Sequence, residues 1–229
     1  MITSNIYSRV FFIRAAQYGT AFTVDFDGRQ YLVTARHLLP ECASTESIRF
    51  LHENTWKPLQ LKPVGIARGE VDIAVFVANI RLSPDLPLEP TSKDMVIGQD
   101  VYFVGYPYKM WTDAGNVLAG RPCPFIKKGT LSSAFNTGDG IQRLFVDAIN
   151  NEGFSGGPLV FAPQGSRDFR VAGVVSKFKI EYESVLDKDC NDTGMKVPYN
   201  TGLLVAYDIK YVIDLIRPNP IGLPIGTPS

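Results

Sequence analysis

The chain is short of the residues that build metal sites and disulfide frames. Its three cysteines, Cys42, Cys123 and Cys190, are odd in number and far apart. That spacing predicts free thiols in a reducing compartment and points to the cytoplasm. Only two histidines occur, His37 and His52, and there is no Cys-x-x-Cys pair, so neither a metal nor a cofactor is expected. An excess of one charge is missing as well. Lys and Arg total 23 against 23 Asp and Glu, which gives no reason to expect nucleic acid or an anionic membrane as partner. No apolar run approaches the roughly 18 residues of a membrane span. The opening MITSNIYSRVFFIRAAQ lacks the basic region and long apolar stretch of a secretory signal. Internal repeats and low-complexity blocks are also missing.

What the chain does have is core and turns. Apolar residues make up 45 % and aromatics 11 % of its 229 residues, enough for one large β domain or two small ones. TAFTVDFDGRQYLVTARH places two β-forming runs around Asp27-Gly28, a hairpin signal. SIRFLHE, KPLQLKPVGI, VDIAVFVA, QDVYFVGYP, KKGTLSSAF, QRLFVDA, GPLVFAP and RVAGVVSKF follow between turn residues. About a dozen short strands predict an all-β fold, barrel or sandwich. We divide it at a linker, 84–90, into two halves of six strands, 1–83 and 91–205. A C-terminal helix is predicted over 206–217, where Ile209, Val212, Ile213 and Ile216 fall at i, i+3, i+4 and i+7. Asp208 caps its start and Pro218 follows its end. The proline- and glycine-rich 218–229 reads as a flexible, extended tail.

EGFSGGPLV, residues 152–160, raises the functional question. A serine nucleophile needs a base, and the base needs an orienting carboxylate. His37 ends the strand YLVTA, where a side chain projects from a barrel rim; His52, among polar residues in FLHENTW, reads as solvated. Asp72 abuts the apolar run IAVFV, a costly place for a carboxylate unless it is paired. Ser155 follows Gly153, whose backbone freedom lets its own N–H and that of Ser155 converge as an oxyanion hole.

Taken in order, these segments resemble the trypsin-like serine peptidases with a double β-barrel, most nearly the HtrA-type peptidase domain. VTARH stands at the family's histidine motif, VDIAVF at its aspartate strand and DAINNEGFSGGPLV at its serine motif, with GTAFTV, VYFVGYPY and VAGVVSKF fitting around them. The likeness runs from about residue 19 to residue 216. It implies two six-stranded antiparallel β-barrels and a serine endopeptidase of the triad His37, Asp72 and Ser155, with Gly153 and Ser155 as the oxyanion hole. Ser176 matches the serine that buttresses the aspartate.

By the same likeness the substrate pocket is walled by Ile149, Asn150, Ser176, Lys177, Phe178 and Gly202. No acid falls at its base, which argues against arginine or lysine; apolar lining favours an apolar residue before the scissile bond, and Lys177 and Lys179 keep an acidic one open. The implied partner is a protein or peptide substrate. There are departures. Leu39 replaces the cysteine expected two residues after the histidine, and no PDZ-type domain follows. The polar segment 179–201 reads as a long loop, expected to cover the pocket, gate it or hold a regulatory partner. Phe154 stands where digestive members of the clan carry an aspartate that pairs with a newly freed amine, so no N-terminal cleavage is expected. Two other classes compete: a catalytically silent peptide-binding module, and a structural domain of a larger assembly.

Overall fold

Asp27 and Gly28 take φ of 48° and 68°. These are the left-handed values that a two-residue hairpin turn requires, and the strands on either side pair as predicted. The computed structural model describes residues 2–40, 48–84, 86 and 88–225 of the chain. A one-turn helix, α1 (Ser4–Tyr7), precedes seven strands: β1 (Val10–Arg14), β2 (Tyr18–Phe26), β3 (Arg29–Thr34), β4 (Arg49–His52), β5 (Thr55–Pro58), β6 (Leu61–Ile66) and β7 (Ala74–Ala78). They lie in the order β5-β4-β1-β2-β3-β7-β6. The two outer strands do not pair with each other, so this half is an open half-barrel and not the closed six-stranded barrel expected. β6 explains one open edge: Pro63 lacks a donor N–H, and the strand is bulged between Pro63 and Gly65.

The second half does close. After β8 (Glu89–Pro90) come β9 (Asp100–Gly105), β10 (Phe125–Thr137), β11 (Ile141–Asp147), β12 (Pro158–Phe161), β13 (Arg170–Leu186) and β14 (Asp192–Asp208). The ring runs β12-β9-β10-β11-β14-β13, and β13 pairs back onto β12, giving six antiparallel strands without an edge. Glu89 and Pro90, assigned to the linker from sequence, instead pair in parallel with Arg170 and Val171 of β13. The segment 179–201 is also not a loop. It forms the outer parts of β13 and β14, a two-stranded arm turning at 187–191.

The near-continuous apolar runs of the first half follow from burial on both faces of its strands. Val10 and Phe12 of β1 pack into the seam with the second half, against residues such as Tyr106, Val174 and Tyr207. Their neighbours Phe11 and Ile13 fill a separate core on the other face. A third core fills the closed barrel, with Phe103, Leu144, Phe154 and Leu204 among its members. Each fully buried side chain of this size contributes about 1.5–3 kcal/mol.

The predicted helix is α2 (Lys210–Ile216), shorter than expected because residues 206–208 complete β14. Its periodic residues Ile209, Val212, Ile213 and Ile216 are buried in the seam core. The helix packs on β6 and β7 of the first half, with Leu215 against Gly65. Beyond it the chain does not run free: β15 (Leu223–Pro224) pairs with Arg29 and Gln30 of β3, and the Ile225 N–H donates to Gly28 O at 2.8 Å. An extended backbone with few donors of its own found an open strand to lie on. Residues 226–229 and Cys42 fall outside the described residues; Cys123 and Cys190 are free thiols.

Asp208 fixes where β14 ends and α2 begins. Its Oδ1 accepts the Lys210 N–H at 2.8 Å and its Oδ2 the Ser92 hydroxyl at 2.7 Å, and the residue is buried. Asp208→Ala should therefore cost about 1–2 kcal/mol. Urea denaturation should show a lower midpoint at unchanged slope; an unchanged midpoint would mean that neither bond holds the junction.

Candidate active site

The seam between the halves brings together residues far apart in the chain. His37 sits in a single 3-10 turn, Arg36–Leu38, directly after β3. Leu38 anchors that turn by burying its side chain over Gly19, where an added Cβ would come within 2.4 Å of it. Arg36 anchors the neighbouring loop, donating to Ala67 O and Gly69 O at 2.8 Å each. Asp72 lies at the end of that loop, two residues before β7, with its carboxylate almost wholly buried.

Three donors meet this carboxylate. The His37 backbone N–H donates to Oδ1 at 2.8 Å, His37 Nδ1 lies 2.6 Å from Oδ2, and the Ser176 hydroxyl donates to Oδ2 at 2.5 Å. An ionised carboxylate only accepts, so Nδ1 carries the proton and Nε2 is left as an acceptor. Burial by itself would raise the pKa of Asp72. The hydrogen bonds from His37 and Ser176 outweigh it and hold the carboxyl below its ordinary value. The imidazole keeps 39 % of its side-chain surface exposed, so Nε2 remains reachable from the cleft.

Ser155 comes from the closed barrel, in the loop before β12. Gly153 has φ of 103°, and a Cβ there would stand 2.0 Å from Tyr106 O; at Gly156, φ 81°, it would stand 2.1 Å from Thr20 O. Only glycine fits either position. Thr20 of β2 reaches across the seam to hold the loop, its N–H donating to Ser155 O at 2.9 Å and its hydroxyl to Gly153 O at 2.6 Å. The Tyr108 N–H takes Glu152 O at 2.8 Å. In a trans peptide that turns the Gly153 N–H the opposite way. Among the described residues neither the Gly153 nor the Ser155 N–H donates to any group of the chain. Two bare amides flank the serine.

Lys127 of β10 secures the same loop, donating to Ile149 O at 2.6 Å and Asn151 Oδ1 at 2.7 Å, while burial pulls its pKa below the ordinary lysine value. Asn151 in turn donates to the Tyr108 hydroxyl at 2.8 Å. Phe154 is fully buried, edge-on to Phe103 with ring centroids 4.9 Å apart.

His37, Asp72, Ser155, Gly153 and Ser176 all line one cavity of about 710 Å³, with Lys177, Phe178, Ile180, Tyr18 and Tyr108. One pair is not closed: the Ser155 hydroxyl donates to Ser176 O at 2.7 Å and makes no hydrogen bond to His37. Of the predicted pocket walls, Ser176, Lys177 and Phe178 line the cavity, while Ile149, Asn150 and Gly202 do not. Ile149 faces outward, Asn150 is buried beneath the loop with its carbonyl tied to Asn200 Nδ2 at 2.6 Å, and Gly202 turns at φ 77° to accept the Ala148 N–H. His52 stands elsewhere, beside Lys57 and Glu53. Arg36, Tyr108, Lys127 and Tyr207, whose hydroxyl donates to Glu70 O, were missed from sequence. Their roles depend on partners 22 to 137 positions away, which no local pattern announces. Among the described residues no cluster of His, Cys, Asp and Glu is placed to hold a metal, and no helix is long and apolar enough to cross a membrane.

Comparison with known proteins bears on the family and the fold. The model of the trypsin-like peptidase domain matches residues 19–166. Among solved structures, the Rv3671c protease in an inactive form superposes with a TM-score of 0.57 at 20 % identity, over 93 % of this chain and 89 % of that one. A serine-to-alanine mutant of Rv3671c from M. tuberculosis H37Rv, also inactive, gives a TM-score of 0.56 at 19 % identity, over 96 % and 90 %. Identities this low show the shared fold alone. No curated protein matches the sequence.

Asp72 makes the pH dependence of stability testable. Its folded-state pKa is depressed below the ordinary 3.8. It therefore contributes stability that is fully present above that value and lost as pH falls through the lower folded-state value. The stability of the wild type minus that of Asp72→Asn should be larger near about pH 6 than near about pH 2.5. Urea midpoints at the two pH values measure it, and a difference that grows on acidification would contradict the assigned partners.

Proposed function

Because the chain belongs to the trypsin-like peptidase domain family, we propose that it is a serine endopeptidase acting through His37, Asp72 and Ser155. The observation that carries this reading is the buried Asp72 carboxylate fixing the Nδ1–H tautomer of His37 beside a serine flanked by two undonated amides. In the proposed reaction the Ser155 hydroxyl leaves Ser176 O, its partner here, to hydrogen-bond Nε2 of His37. Catalytic hydrogen bonds are often unmade in the absence of substrate.

In the proposed reaction Nε2 takes the hydroxyl proton as Oγ bonds to the peptide carbonyl carbon. The carbonyl oxygen takes up the negative charge and is held by the Gly153 and Ser155 N–H groups. The C–N bond then breaks, and the leaving amine receives the proton from Nε2. Water, deprotonated by the same nitrogen, attacks the acyl ester and frees Ser155. Each oxyanion donor of this kind is worth about 2.7–4 kcal/mol. Phe178 and Ile180 on the cavity wall support an apolar residue before the scissile bond.

The Ser155–Ser176 hydrogen bond favours the second reading, a peptide-binding module with a silent serine. A fluorophosphonate probe separates the two, since only an activated serine is labelled. Ser155→Ala and His37→Ala should each lower kcat/KM by several orders of magnitude, and the double variant hardly further, because the residues act as a unit. Wild-type turnover retained by Ser155→Ala would end the peptidase proposal.

A further inference from the structure

The arm formed by the outer parts of β13 and β14 presents one unpaired backbone edge to the reactive serine. β13 is paired with β12 as far as Val174, and Val175 exchanges hydrogen bonds with Gly156 and Gly157 on the same side. Past that point, among the described residues, only β14 pairs with it. Four observations fix which residues of β13 face the open side. A register shift between Val175 and Lys177 turns Ser176 O toward the cleft, where it accepts the Ser155 hydroxyl. Lys179 O and Val185 O accept the hydroxyls of Thr201 and Thr193, so odd-numbered residues face β14. Tyr182 stands opposite Pro198, which has no N–H to give, so that pair is not hydrogen-bonded and Tyr182 turns its own amide outward. By alternation, Ser176, Phe178, Ile180, Tyr182 and Ser184 all present N–H and C=O on the edge that begins at Ser155.

Two further features show what the edge suits. Pro198 removes a donor from the outer edge of β14, one way in which natural sheets discourage pairing, whereas β13 has no proline between residues 170 and 186. Phe178 and Ile180 line the cavity itself, and Ile180 and Tyr182 are exposed beyond it at 47 % and 64 %. The edge is therefore continuous with the cleft. A second copy of the chain seated on it would shut the cavity.

We infer that the outer arm, Ile180 to Ser184 of β13, is an extended substrate subsite, on which the polypeptide N-terminal to the scissile bond continues as an antiparallel strand well beyond the cavity. This rests on the proposed peptidase reading. β13 leads away from Ser155, so an antiparallel chain comes in from the tip of the arm and ends at the serine. Counting back from the scissile bond, the first residue meets Ser176, the third Phe178, the fifth Ile180 and the seventh Tyr182, each through backbone groups. Alternate side chains of the substrate lie beside Phe178, Ile180 and Tyr182. The partner is thus an unfolded chain, apolar at alternate positions and free of proline at the fifth and seventh.

Fluorescein-labelled product-type peptides ending in a valine carboxylate test this, because the Gly153 and Ser155 amides set their register. A valine- and threonine-rich octapeptide should bind at least about tenfold more tightly than its C-terminal tripeptide, as read by anisotropy. N-methylation at the fifth or seventh residue from the carboxylate should remove most of that gain, and at the sixth, whose amide points away, very little. Tyr182→Pro, which deletes an edge-facing N–H, should likewise narrow the gap between long and short peptides. Equal affinities for the two lengths, or equal losses from methylating the sixth and seventh residues, would overturn the inference. Dimerisation abolished by Tyr182→Pro, with peptide length immaterial, would assign the edge to a second copy and overturn it too. Since binding needs no turnover, alternation seen in a protein that labels with no fluorophosphonate would uphold the edge and refute the peptidase reading instead.

Discussion

The arrangement depends on one buried carboxylate. Asp72 lies beside the strand AVFVA, and a charge there without partners would cost several kcal/mol. The fold answers with donors from both halves: His37 through backbone and ring from the first, Ser176 from the second. The charge therefore does more than orient an imidazole. It bonds the open half-barrel to the closed one at the seam where the cleft lies. Removing the His37 N–H would leave Oδ1 desolvated, and removing Nδ1 or the Ser176 hydroxyl would leave Oδ2 with one donor in place of two.

A second set of cross-seam bonds shapes the serine loop. Thr20, fully buried, uses its N–H and its hydroxyl on carbonyls on either side of Phe154 and Ser155, and its own carbonyl accepts the Thr34 hydroxyl at 2.8 Å. With the carbonyls of Glu152, Gly153 and Ser155 all taken up by protein donors, the loop has no carbonyl left to turn toward the two bare amides. Glycine is needed at 153 and 156 for the same reason: the loop lies so close to Tyr106 and Thr20 that no side chain fits between. The vacancy that would hold an oxyanion is thus made by satisfying every acceptor around it.

Much of this was legible in the chain before any coordinates. Local signals were sufficient for the Asp27-Gly28 hairpin, for the apolar face of α2 and for the strands around His37, Asp72 and Ser155, since each depends on neighbours within a few positions. What could not be read depends on closure and distance. Nothing in LKPVGI says that β6 stays an edge, and nothing in LPIG says that the tail lies along β3. The segment 179–201 looked like a loop because it is polar and rich in charge. A two-stranded arm with both faces in water needs no apolar alternation, so the usual strand signal is missing although the strands are long. The pocket walls failed similarly at Ile149, Asn150 and Gly202. Lys127, from a different strand, ties down the carbonyl of Ile149 and the side chain of Asn151, contacts that the loop's own sequence does not announce.

Phe154 shows how the means of ordering a loop alters its dependence on conditions. An aspartate there would be a buried charge, holding its loop only while an ammonium partner is supplied. Phenylalanine instead buries its ring edge-on against Phe103 within a core that also holds Leu159 and Val175. That contribution is non-directional and independent of proton or salt concentration over the range in which carboxylates and amines titrate. Direction is then supplied by Lys127 and Thr20, whose hydrogen bonds fix the backbone that the ring merely anchors. Anchoring by apolar burial and aiming by hydrogen bonds are thus separate tasks here, given to different residues. In this structure the loop's shape rests on groups that belong to the two halves.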